Sequence, residues 1–329
     1  MSDETILRWG ILGCGDVTEV KSGPGFRKAS RSALTRVMRR DAGLAEDYAR
    51  RHGVPGWTAS ADALIAADDV DAVYIATPPD THAAYALAVA AAGKPILVEK
   101  PLANCLADAE RMVAACEDAG VPLFCAYYRR SMPKFRAAKA FLEDGVLGTP
   151  TRVVIRHATL PPEDRTNLPW RLRPGAGDGG IFMDMGSHMI DLVQYLVGPA
   201  RLDTVVGRAS TTVDYLDVPD TVTAQLTLSG PAGAVPVEGS WSYVADAPED
   251  RIEIVCTAGR LAFSVFDGSP LVTEIDGREE QHAAPHPDHV HQPMIEDITR
   301  AVLDGGTTVF GGHEALRTAR VQAGILGTS

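Results

Sequence analysis

Residues 94–101, Lys-Pro-Ile-Leu-Val-Glu-Lys-Pro, are the stretch from which the fold of this chain can be worked out. Residues 96–98 form a short apolar run, which predicts a buried strand. The strand ends in Glu99 and Lys100, and open sheets of parallel strands bind their ligands at the carboxyl ends of the strands. Lys100 is therefore either a functional group at such an edge or a surface lysine that closes the strand.

The first 126 residues alternate between strand and helix patterns. The predicted strands are 6–12, 33–38, 70–76, 95–98 and 121–126. The predicted helices follow the first strand, with an interruption near 22–25, and lie at 44–51, 82–92 and 105–119. We expect Asp80 or Thr81 to cap the helix 82–92. The alternation predicts an α/β fold with a doubly wound parallel sheet in a first domain, residues 1–126.

From residue 127 onward the pattern changes to strands that follow one another. They are predicted at 151–157, 202–209, 221–229, 235–243, 251–257, 261–266 and 271–275, separated by Gly, Pro or Asp. Helices are predicted at 133–143, 179–196, 293–304 and 312–323. This order predicts a second domain, 127–329, that is built on a large, mostly antiparallel sheet.

The strand 221–229 has one apolar face and one polar face that carries no charge. Apolar residues at 222, 224, 226 and 228 alternate with Thr or Gln at 221, 223, 225 and 227. Such a polar face either packs on a partner subunit or is simply solvated.

Composition narrows the class of protein. The chain of 329 residues carries a net charge of −12, which argues against general nucleic-acid binding because that relies on clustered Lys and Arg. No apolar run is long enough for a membrane span, and the acidic N-terminus does not look like a secretion signal. The five cysteines include no Cys-x-x-Cys pair, so we expect no disulfide framework and no zinc site, and a cytoplasmic location fits best.

Three histidines, at 286, 289 and 291, lie close together late in the sequence. Their spacing suggests a metal site at first sight. The prolines at 285, 287 and 293 favour a stiff surface loop instead, and we predict no metal.

A glycine turn follows the first strand. Residues 13–18 read Gly-Cys-Gly-Asp-Val-Thr, which is Gly-x-Gly-x-x-Thr where dinucleotide-binding turns usually have a third small residue. Gly13 allows a tight turn, and Gly15 lets a pyrophosphate approach the backbone. The alternative is an ordinary glycine turn without a ligand.

Two arginines follow the second strand. In NAD-binding folds an acid about twenty residues beyond the glycines binds the ribose 2′-hydroxyl, whereas an arginine accommodates a 2′-phosphate. Arg39 stands where that acid is expected, and Arg40 follows it. NADP is therefore favoured and NAD is possible, unless both arginines are simply exposed to solvent.

Asp184 and His188 are four residues apart in the predicted helix 179–196 and therefore share a face. Histidine titrates near neutral pH, so His188 suits a proton step, and Asp184 suits the orientation of a hydroxyl or the support of an imidazolium. Lys100 suits a hydrogen bond to a reacting oxygen. The alternatives are a surface helix pair or two metal ligands, although no third ligand is suggested nearby.

Five motifs together are similar to one known family. They are Gly-Cys-Gly at 13–15, Ala-Thr-Pro-Pro-Asp-Thr-His at 76–82, Gly-Lys-Pro-Ile-Leu-Val-Glu-Lys-Pro at 93–101, Tyr-Arg-Arg at 128–130 and Asp-Met-Gly-Ser-His at 184–188. In their order and spacing they resemble the Gfo/Idh/MocA oxidoreductases, over nearly the whole chain. The resemblance implies an N-terminal Rossmann domain, 1–126, that binds a dinucleotide. It also implies a C-terminal α/β domain, 127–329, with an open antiparallel sheet that binds the substrate and forms oligomers.

The resemblance also implies roles for individual residues. The family's catalytic lysine falls on Lys100, and its Asp-x-x-x-His pair falls on Asp184 and His188. The candidate cofactor-binding residues are Gly13, Gly15, Asp16, Val17, Arg39, Arg40, Thr77, Pro78, His82, Glu99, Lys100, Trp170 and Arg171. The candidate substrate-binding residues are Lys100, Tyr128, Arg129, Asp184 and His188. Family members often use the open sheet to form homodimers or homotetramers.

These features predict an NADP-favouring oxidoreductase that moves a hydride between nicotinamide and a secondary alcohol or ketone of a sugar, polyol or related cyclic alcohol. Two alternatives share the fold. One is an NAD-dependent glycosidase-type enzyme, and the other is a non-catalytic regulator that binds a dinucleotide. The presence of Lys100, Asp184 and His188 together argues against the regulator.

Overall fold

The computed structural model describes residues 5–168, 172–173, 180–198, 201–230 and 233–328. By their contacts, the residues form two compact units. The first unit is Met1–Ala103, Ala107–Met132 and Pro287–Leu316, and the second is Asn104–Leu106, Pro133–His286 and Arg317–Ser329. The first unit therefore includes a late segment that a division into 1–126 and 127–329 does not assign to it.

The strands, in chain order, are β1 (Leu7–Leu12), β2 (Ser32–Met38), β3 (Gly56–Thr58), β4 (Ala72–Ile75), β5 (Ile96–Val98), β6 (Leu123–Cys125), β7 (Pro150–Ala158), β8 (Arg201–Ser210), β9 (Thr221–Gly230), β10 (Gly233–Ser242), β11 (Glu249–Cys256), β12 (Gly259–Phe263), β13 (Leu271–Ile275) and β14 (Arg278–His282).

The α-helices are α1 (Asp16–Val20), α2 (Gly23–Lys28), α3 (Ala42–His52), α4 (Ala61–Ile65), α5 (His82–Ala91), α6 (Leu106–Asp118), α7 (Pro133–Glu143), α8 (Ser187–Val197), α9 (Gln292–Asp304) and α10 (Gly312–Leu326). Short 3-10 turns lie at Pro79–Thr81 and Tyr128–Ser131, and a π-helical segment lies at Phe182–Gly186.

The first unit contains a six-stranded sheet in the order β3-β2-β1-β4-β5-β6, and its neighbouring strands are parallel. The predicted doubly wound parallel sheet is confirmed. The strand order reverses between β1 and β4, and ligands bind such sheets in the crevice at the carboxyl ends of the strands there. The sheet core includes Trp9, Phe26 and Tyr74, whose rings lie 5.1 and 5.0 Å apart in that order.

The second unit contains an eight-stranded sheet in the order β14-β13-β12-β11-β7-β10-β9-β8. Among the strands described, β7 and β10 form a parallel pair, and the other neighbouring strands are antiparallel. The mostly antiparallel sheet is therefore confirmed. In β9, Val222 and Leu226 are buried whereas Thr223 and Gln225 are exposed, so the predicted alternation of faces is present.

Two strands were not predicted. The sequence of β14, Arg-Glu-Glu-Gln-His, lacks alternating apolar residues because four of its five residues are exposed at the edge of the sheet. A signal for it exists in the turn before it, because Asp276 and Gly277 have φ angles of 52° and 74°. Two-residue Asp-Gly turns of that type join hairpin strands. The other strand, β3, spans only three residues.

Thr81 occupies the N-cap position of α5, as one of the two predicted alternatives had it. Its side chain, however, accepts no hydrogen bond from the first turn of this helix. The 3-10 turn Pro79–Thr81 leads directly into α5, and the Thr81 hydroxyl lies 2.7 Å from the Pro78 carbonyl oxygen instead. By contrast, Asp41 caps α3, because its carboxylate accepts a hydrogen bond of 3.0 Å from the Leu44 backbone N–H.

The predicted helix 179–196 is not one regular helix. Within its described part, Phe182–Gly186 is π-helical and α8 begins at Ser187. A Cβ atom at Gly186 would lie 2.5 Å from the Phe182 ring, so this wide turn requires glycine there. The Phe182 ring also meets the edge of Trp241, with centroids 5.0 Å apart. π-helical turns are rare and frequently occur at functional sites.

Candidate active site

The glycine turn lies at the carboxyl end of β1 and has the shape that a dinucleotide needs. Gly13 has a φ of +90°, and a Cβ atom there would lie 2.7 Å from Thr77 Cγ2. Above Gly15, the nearest atom to such a Cβ is the Gly13 carbonyl oxygen at 4.0 Å. This open space allows a pyrophosphate to approach the backbone. Asp16 and Val17 begin α1 directly after the turn.

Thr18 occupies the place of the usual third small residue and fits it. Its side chain is buried, and its hydroxyl donates to the Gly15 carbonyl oxygen at 2.8 Å. The Thr18 carbonyl oxygen accepts a hydrogen bond of 2.9 Å from the Tyr48 hydroxyl. A Cβ at Gly23 would lie 2.2 Å from that same carbonyl oxygen. Gly23 is therefore a further position after the turn at which a larger residue would collide with the backbone.

Arg39 lies next to the glycine turn. It is half-buried after the end of β2, and its Nη1 lies 3.4 Å from the Cys14 carbonyl oxygen, to which it donates. Arg40 is exposed. Asp41, the first acid after β2, already accepts the hydrogen bond that caps α3. A cation, not a carboxylate, is thus the group nearest to the turn on this side.

His82 joins the loops that follow β4 and β5. It is fully buried, and its ring nitrogens lie 2.9 Å from the Thr77 carbonyl oxygen and 3.1 Å from the Pro101 carbonyl oxygen. Burial lowers the pKa of His82, against the opposing effect of these carbonyl contacts and of the Glu99 charge. His82 supports the loop that carries Thr77 and Pro78, and its direct contact with a cofactor stays a prediction.

Glu99 is a buried carboxylate directly beside Lys100. Its Oε1 accepts hydrogen bonds from the Tyr74 hydroxyl at 2.5 Å and from His291 Nε2 at 3.1 Å. Its Oε2 accepts the Lys100 backbone N–H at 3.2 Å. Burial alone would raise the pKa of Glu99, but the hydrogen bonds from His291 and Tyr74 and the charge of Lys100 lower it to about 2. Glu99 is therefore ionised, and it fixes the backbone at Lys100.

Tyr128 and Arg129 lie in the 3-10 turn after β6, in the same unit as Lys100. Both are buried. The Arg129 guanidinium lies 4.8 Å from the centre of the Tyr128 ring and donates to its hydroxyl. The ring of His291 is stacked on Tyr128 at 4.5 Å. The turn is held at its end by Ser131, whose hydroxyl donates to Asp297 at 2.6 Å.

Asp184 and His188 belong to the second unit. Asp184 is half-buried in the π-helical segment, and His188 is buried in the first turn of α8. The His188 ring meets the edge of Phe266, with centroids 6.0 Å apart. The charge of Asp184 acts on Tyr243, whose pKa is raised well above its ordinary value, first by burial and then by this charge.

Two residues that the sequence analysis does not single out, His157 and Tyr243, lie in this unit. Their rings are 5.7 Å apart, and His157 is 5.1 Å from Phe266. The two ring nitrogens of His157 and the hydroxyl oxygen of Tyr243 are buried. None of these three atoms has a hydrogen-bond partner within the described residues. Buried polar groups without partners are rare and costly, so these atoms are suited to a polar ligand.

The pairing of β7 with β10 brings these two residues together. Because β7 and β10 are parallel, their carboxyl ends meet at one edge. His157 lies near the end of β7, and Tyr243 directly follows β10. Burial lowers the pKa of His157, against the charge of Asp250. A parallel pair inside an antiparallel prediction could not be recognised from strand patterns, and so this edge was not expected.

Trp170 and Arg171 lie outside the described residues. Over the residues that are described, no group of three His, Cys, Asp or Glu side chains is placed to hold a metal ion. The histidines at 289 and 291 contact different groups, since His289 Nδ1 lies 3.3 Å from the Val20 carbonyl oxygen and His291 binds Glu99. No helix in the described ranges is long and apolar enough to cross a membrane.

Comparison with known proteins agrees with this geometry. Residues 7–127 match the oxidoreductase family with an NAD-binding Rossmann fold, GFO_IDH_MocA, and residues 135–262 match the GFO/IDH/MocA C-terminal domain. The chain is 33% identical over 331 residues to oxidoreductase P35 of Formosa agariphila, covering 99% of this chain and 100% of that protein. It is 34% identical over 200 residues to the 1,5-anhydro-D-fructose reductase of Ensifer adhaerens, covering 60% and 59% of the two chains.

Among solved structures, the aldose-aldose oxidoreductase from Caulobacter crescentus, complexed with glycerol, superposes with a TM-score of 0.86 at 26% identity. The match covers 98% of this chain and 97% of that one. Sequence and structure therefore agree over both units: the chain belongs to the Gfo/Idh/MocA family of oxidoreductases.

Proposed function

We propose that this chain is an NADP-preferring dehydrogenase or reductase that acts on a secondary alcohol or ketone of a sugar, polyol or related cyclic alcohol. The observation that carries the proposal is the pairing of two features at one edge of the parallel sheet. The open glycine turn follows β1, and Lys100 follows β5 beside an ionised Glu99. Relatives named as a 1,5-anhydro-D-fructose reductase and an aldose-aldose oxidoreductase support the substrate class.

When bound, the nicotinamide ring supplies or accepts the hydride. Lys100 holds the reacting oxygen and stabilises negative charge that develops on it. His188 takes or gives the hydroxyl proton, and Asp184 orients a neighbouring hydroxyl or supports the imidazolium. His157 and Tyr243 hydrogen-bond other hydroxyls of the substrate, which supplies the partners that their buried polar atoms lack among the described residues.

The preference for NADP rests on Arg39. A guanidinium binds a phosphate through two parallel hydrogen bonds, and Arg39 is half-buried beside the glycine turn. Asp41, the nearest acid in sequence, caps α3 instead.

The change Arg39→Asp should weaken NADP binding by about a hundredfold, the loss expected when a charge-assisted pair becomes a repulsion, and should change NAD binding far less. Cofactor fluorescence titration measures both affinities, and Arg50→Asp is the control at an exposed position of α3. Equal losses for NADP and NAD after Arg39→Asp would mean that Arg39 does not bind the 2′-phosphate.

The substrate class is tested with a panel of sugars and polyols that includes 1,5-anhydro-D-fructose, levoglucosan and myo-inositol. Each is offered with NADP, NADPH, NAD or NADH, and nicotinamide absorbance reports turnover. A net change in the cofactor with at least one compound is expected. Glycoside cleavage without a net change would identify the glycosidase-type alternative, and cofactor binding without any reaction would identify the regulator.

The same proposal includes a cytoplasmic homodimer or homotetramer that forms through the open sheet. The exposed polar face of β9, with Thr223 and Gln225, carries no charge and is a suitable contact surface. Light scattering during gel filtration measures the mass of the native protein and of the double variant Thr223→Lys, Gln225→Lys. A monomeric native protein would exclude the oligomer, and an unchanged oligomer in the variant would move the interface elsewhere.

A further inference from the structure

We propose that His291 is a positioning residue for Lys100 and acts through Glu99. The inference rests on the proposed function, in which Lys100 holds the reacting oxygen. All three residues belong to the first unit, although His291 is separated from Glu99 by 192 positions in the sequence. The prolines at 285, 287 and 293 predict a surface loop around His291, whereas the His291 side chain is buried against Glu99 in the structure.

The contact between His291 and Glu99 is buried. His291 is 1% exposed and Glu99 is 8% exposed. His291 Nε2 lies 3.1 Å from Glu99 Oε1, and the other carboxylate oxygen accepts the Lys100 backbone N–H at 3.2 Å. A single carboxylate therefore connects the His291 ring to the backbone of Lys100. Water screens such a contact only weakly, so its loss is felt directly at Glu99.

The tautomer of His291 follows from the charge of its partner. Glu99 is ionised, because its pKa is about 2, and an ionised carboxylate accepts hydrogen bonds only. His291 must therefore carry a hydrogen on Nε2. Its Nδ1 is buried and has no hydrogen-bond partner within the described residues, so nothing there competes for the ring's orientation.

A second contact fixes the plane of the ring. The His291 ring is stacked on Tyr128 with centroids 4.5 Å apart and planes inclined by 29°. The Tyr128 ring in turn carries the Arg129 guanidinium at 4.8 Å. His291 thus contacts a candidate substrate residue with its face and the carboxylate beside Lys100 with its edge.

His291 acts on Lys100 because both side chains interact with the negative charge of Glu99. The charge of Lys100 is one of the groups that lower the pKa of Glu99, so the two side chains attract each other. Tyr74 and His291 donate hydrogen bonds to Glu99 Oε1, and these bonds stabilise part of the negative charge of the carboxylate. Without the bond from His291, the carboxylate draws the Lys100 ammonium closer, and the ammonium is then less able to bind a substrate oxygen.

Two substitutions separate the two contacts of His291. His291→Phe keeps an aromatic ring on Tyr128 and removes the donor to Glu99. His291→Gln removes the ring and keeps an N–H donor that reaches the place of Nε2. If the hydrogen bond positions Lys100, the glutamine variant retains most of the native behaviour of Lys100 and the phenylalanine variant does not. If packing alone matters, the order is reversed.

The measurement is the rate at which Lys100 of the full chain reacts with trinitrobenzenesulfonate, followed by peptide mass spectrometry. It needs no substrate, and the exposed Lys28 serves as the control within the same molecule. His291→Phe should lower the rate at Lys100 by about tenfold, the effect of one charge-assisted hydrogen bond, with Lys28 unchanged. His291→Asn, whose nitrogen is too short to reach Glu99, repeats the comparison if His291→Phe fails to fold.

Equal rates at Lys100 in native protein and His291→Phe would overturn the inference, as would a larger loss in His291→Gln than in His291→Phe. Turnover of Lys100→Ala, measured with the active compounds of the panel, keeps this result apart from the proposed function. If Lys100→Ala retains turnover, the proposed function fails. If Lys100→Ala abolishes turnover and the labelling rates stay native in His291→Phe, only the role of His291 fails.

Discussion

The polar side chains near the carboxyl ends of parallel strands differ between the two units in their hydrogen bonding. In the first unit, Glu99 and His82 are buried and bonded to neighbouring groups of the protein. In the second unit, His157 and Tyr243 are equally buried, but their polar atoms have no partner among the described residues. Under the proposed function, the groups around Glu99 are pre-organised for the cofactor, which is the same in every turnover. The polar atoms of His157 and Tyr243 then form their hydrogen bonds with the substrate.

The largest expected effect is that of replacing Lys100, which follows β5 in the first unit. Lys100→Ala should lower kcat by about a thousandfold, as loss of a donor to the reacting oxygen does, while NADP affinity stays within a few-fold of native. Lys94→Ala is the matched control, because Lys94 precedes the same strand and its Nζ donates to the Ala67 carbonyl oxygen at 2.8 Å. Steady-state kinetics and cofactor titration measure both quantities. Native turnover in Lys100→Ala would remove Lys100 from the chemistry.

The next effect is on stability at low pH. Because the pKa of Glu99 is lowered from 4.5 to about 2 in the folded protein, its ionised form stabilises the fold above about pH 4.5. That stabilisation is lost as the pH falls toward 2 and amounts to about 3 kcal/mol. Urea unfolding between pH 7 and pH 3 should therefore show a steeper loss for the native protein than for Glu99→Gln. Parallel curves for the two proteins would show that Glu99 is not ionised at a lowered pKa.

In the second unit, His157→Phe should lower kcat/KM for the active sugar or polyol by about tenfold to a hundredfold, since two polar ring atoms are removed. The free energy of unfolding should not fall, because those atoms have no protein partner to lose in the described structure. His282→Phe is the control in the same sheet, since His282 Nε2 is 2.8 Å from the Thr273 hydroxyl. A large loss of stability with native kcat/KM would make His157 a structural residue.

The smallest effect compares two buried tyrosines directly. Tyr74→Phe removes a hydroxyl that donates to Glu99 and should destabilise the fold by about 1–2 kcal/mol. Tyr243→Phe removes a hydroxyl without a partner among the described residues and should leave the free energy of unfolding unchanged or slightly higher. Chemical unfolding of the two variants gives both values. Equal destabilisation by the two substitutions would contradict the difference in hydrogen bonding between the two units.

Much of the fold was predictable from local patterns. Apolar or alternating runs such as 96–98 predict every strand of the two sheets except β3 and β14, and the place of Lys100 after β5 follows from them. The π-helical segment before α8 was not predictable from residue spacing alone, because it depends on the Phe182 ring lying against Gly186 and Trp241. The strand β14 was missed because an exposed edge strand needs no apolar residues.

The candidate site was predictable only where it is local in sequence. A few consecutive residues are enough to recognise each of three features, which are the glycine turn, Arg39 and Glu99-Lys100. His291 reaches Glu99 from 192 positions away, and His157 and Tyr243 meet because β7 and β10 are parallel. Neither pairing leaves a periodic signal, so both required the folded chain.

The late segment of the first unit has a consequence for how this protein is made on the ribosome. Ile295 of α9 is fully buried, and its Cδ1 lies 3.0 Å from the place of a Cβ on Gly25. The Cys125 backbone N–H at the end of β6 donates to the Phe310 carbonyl oxygen at 2.9 Å. The first unit is thus completed by a segment that is synthesised long after β6. A fragment cut after residue 126 would expose the surface that α9 covers, so a vector for that half alone must also encode 287–316.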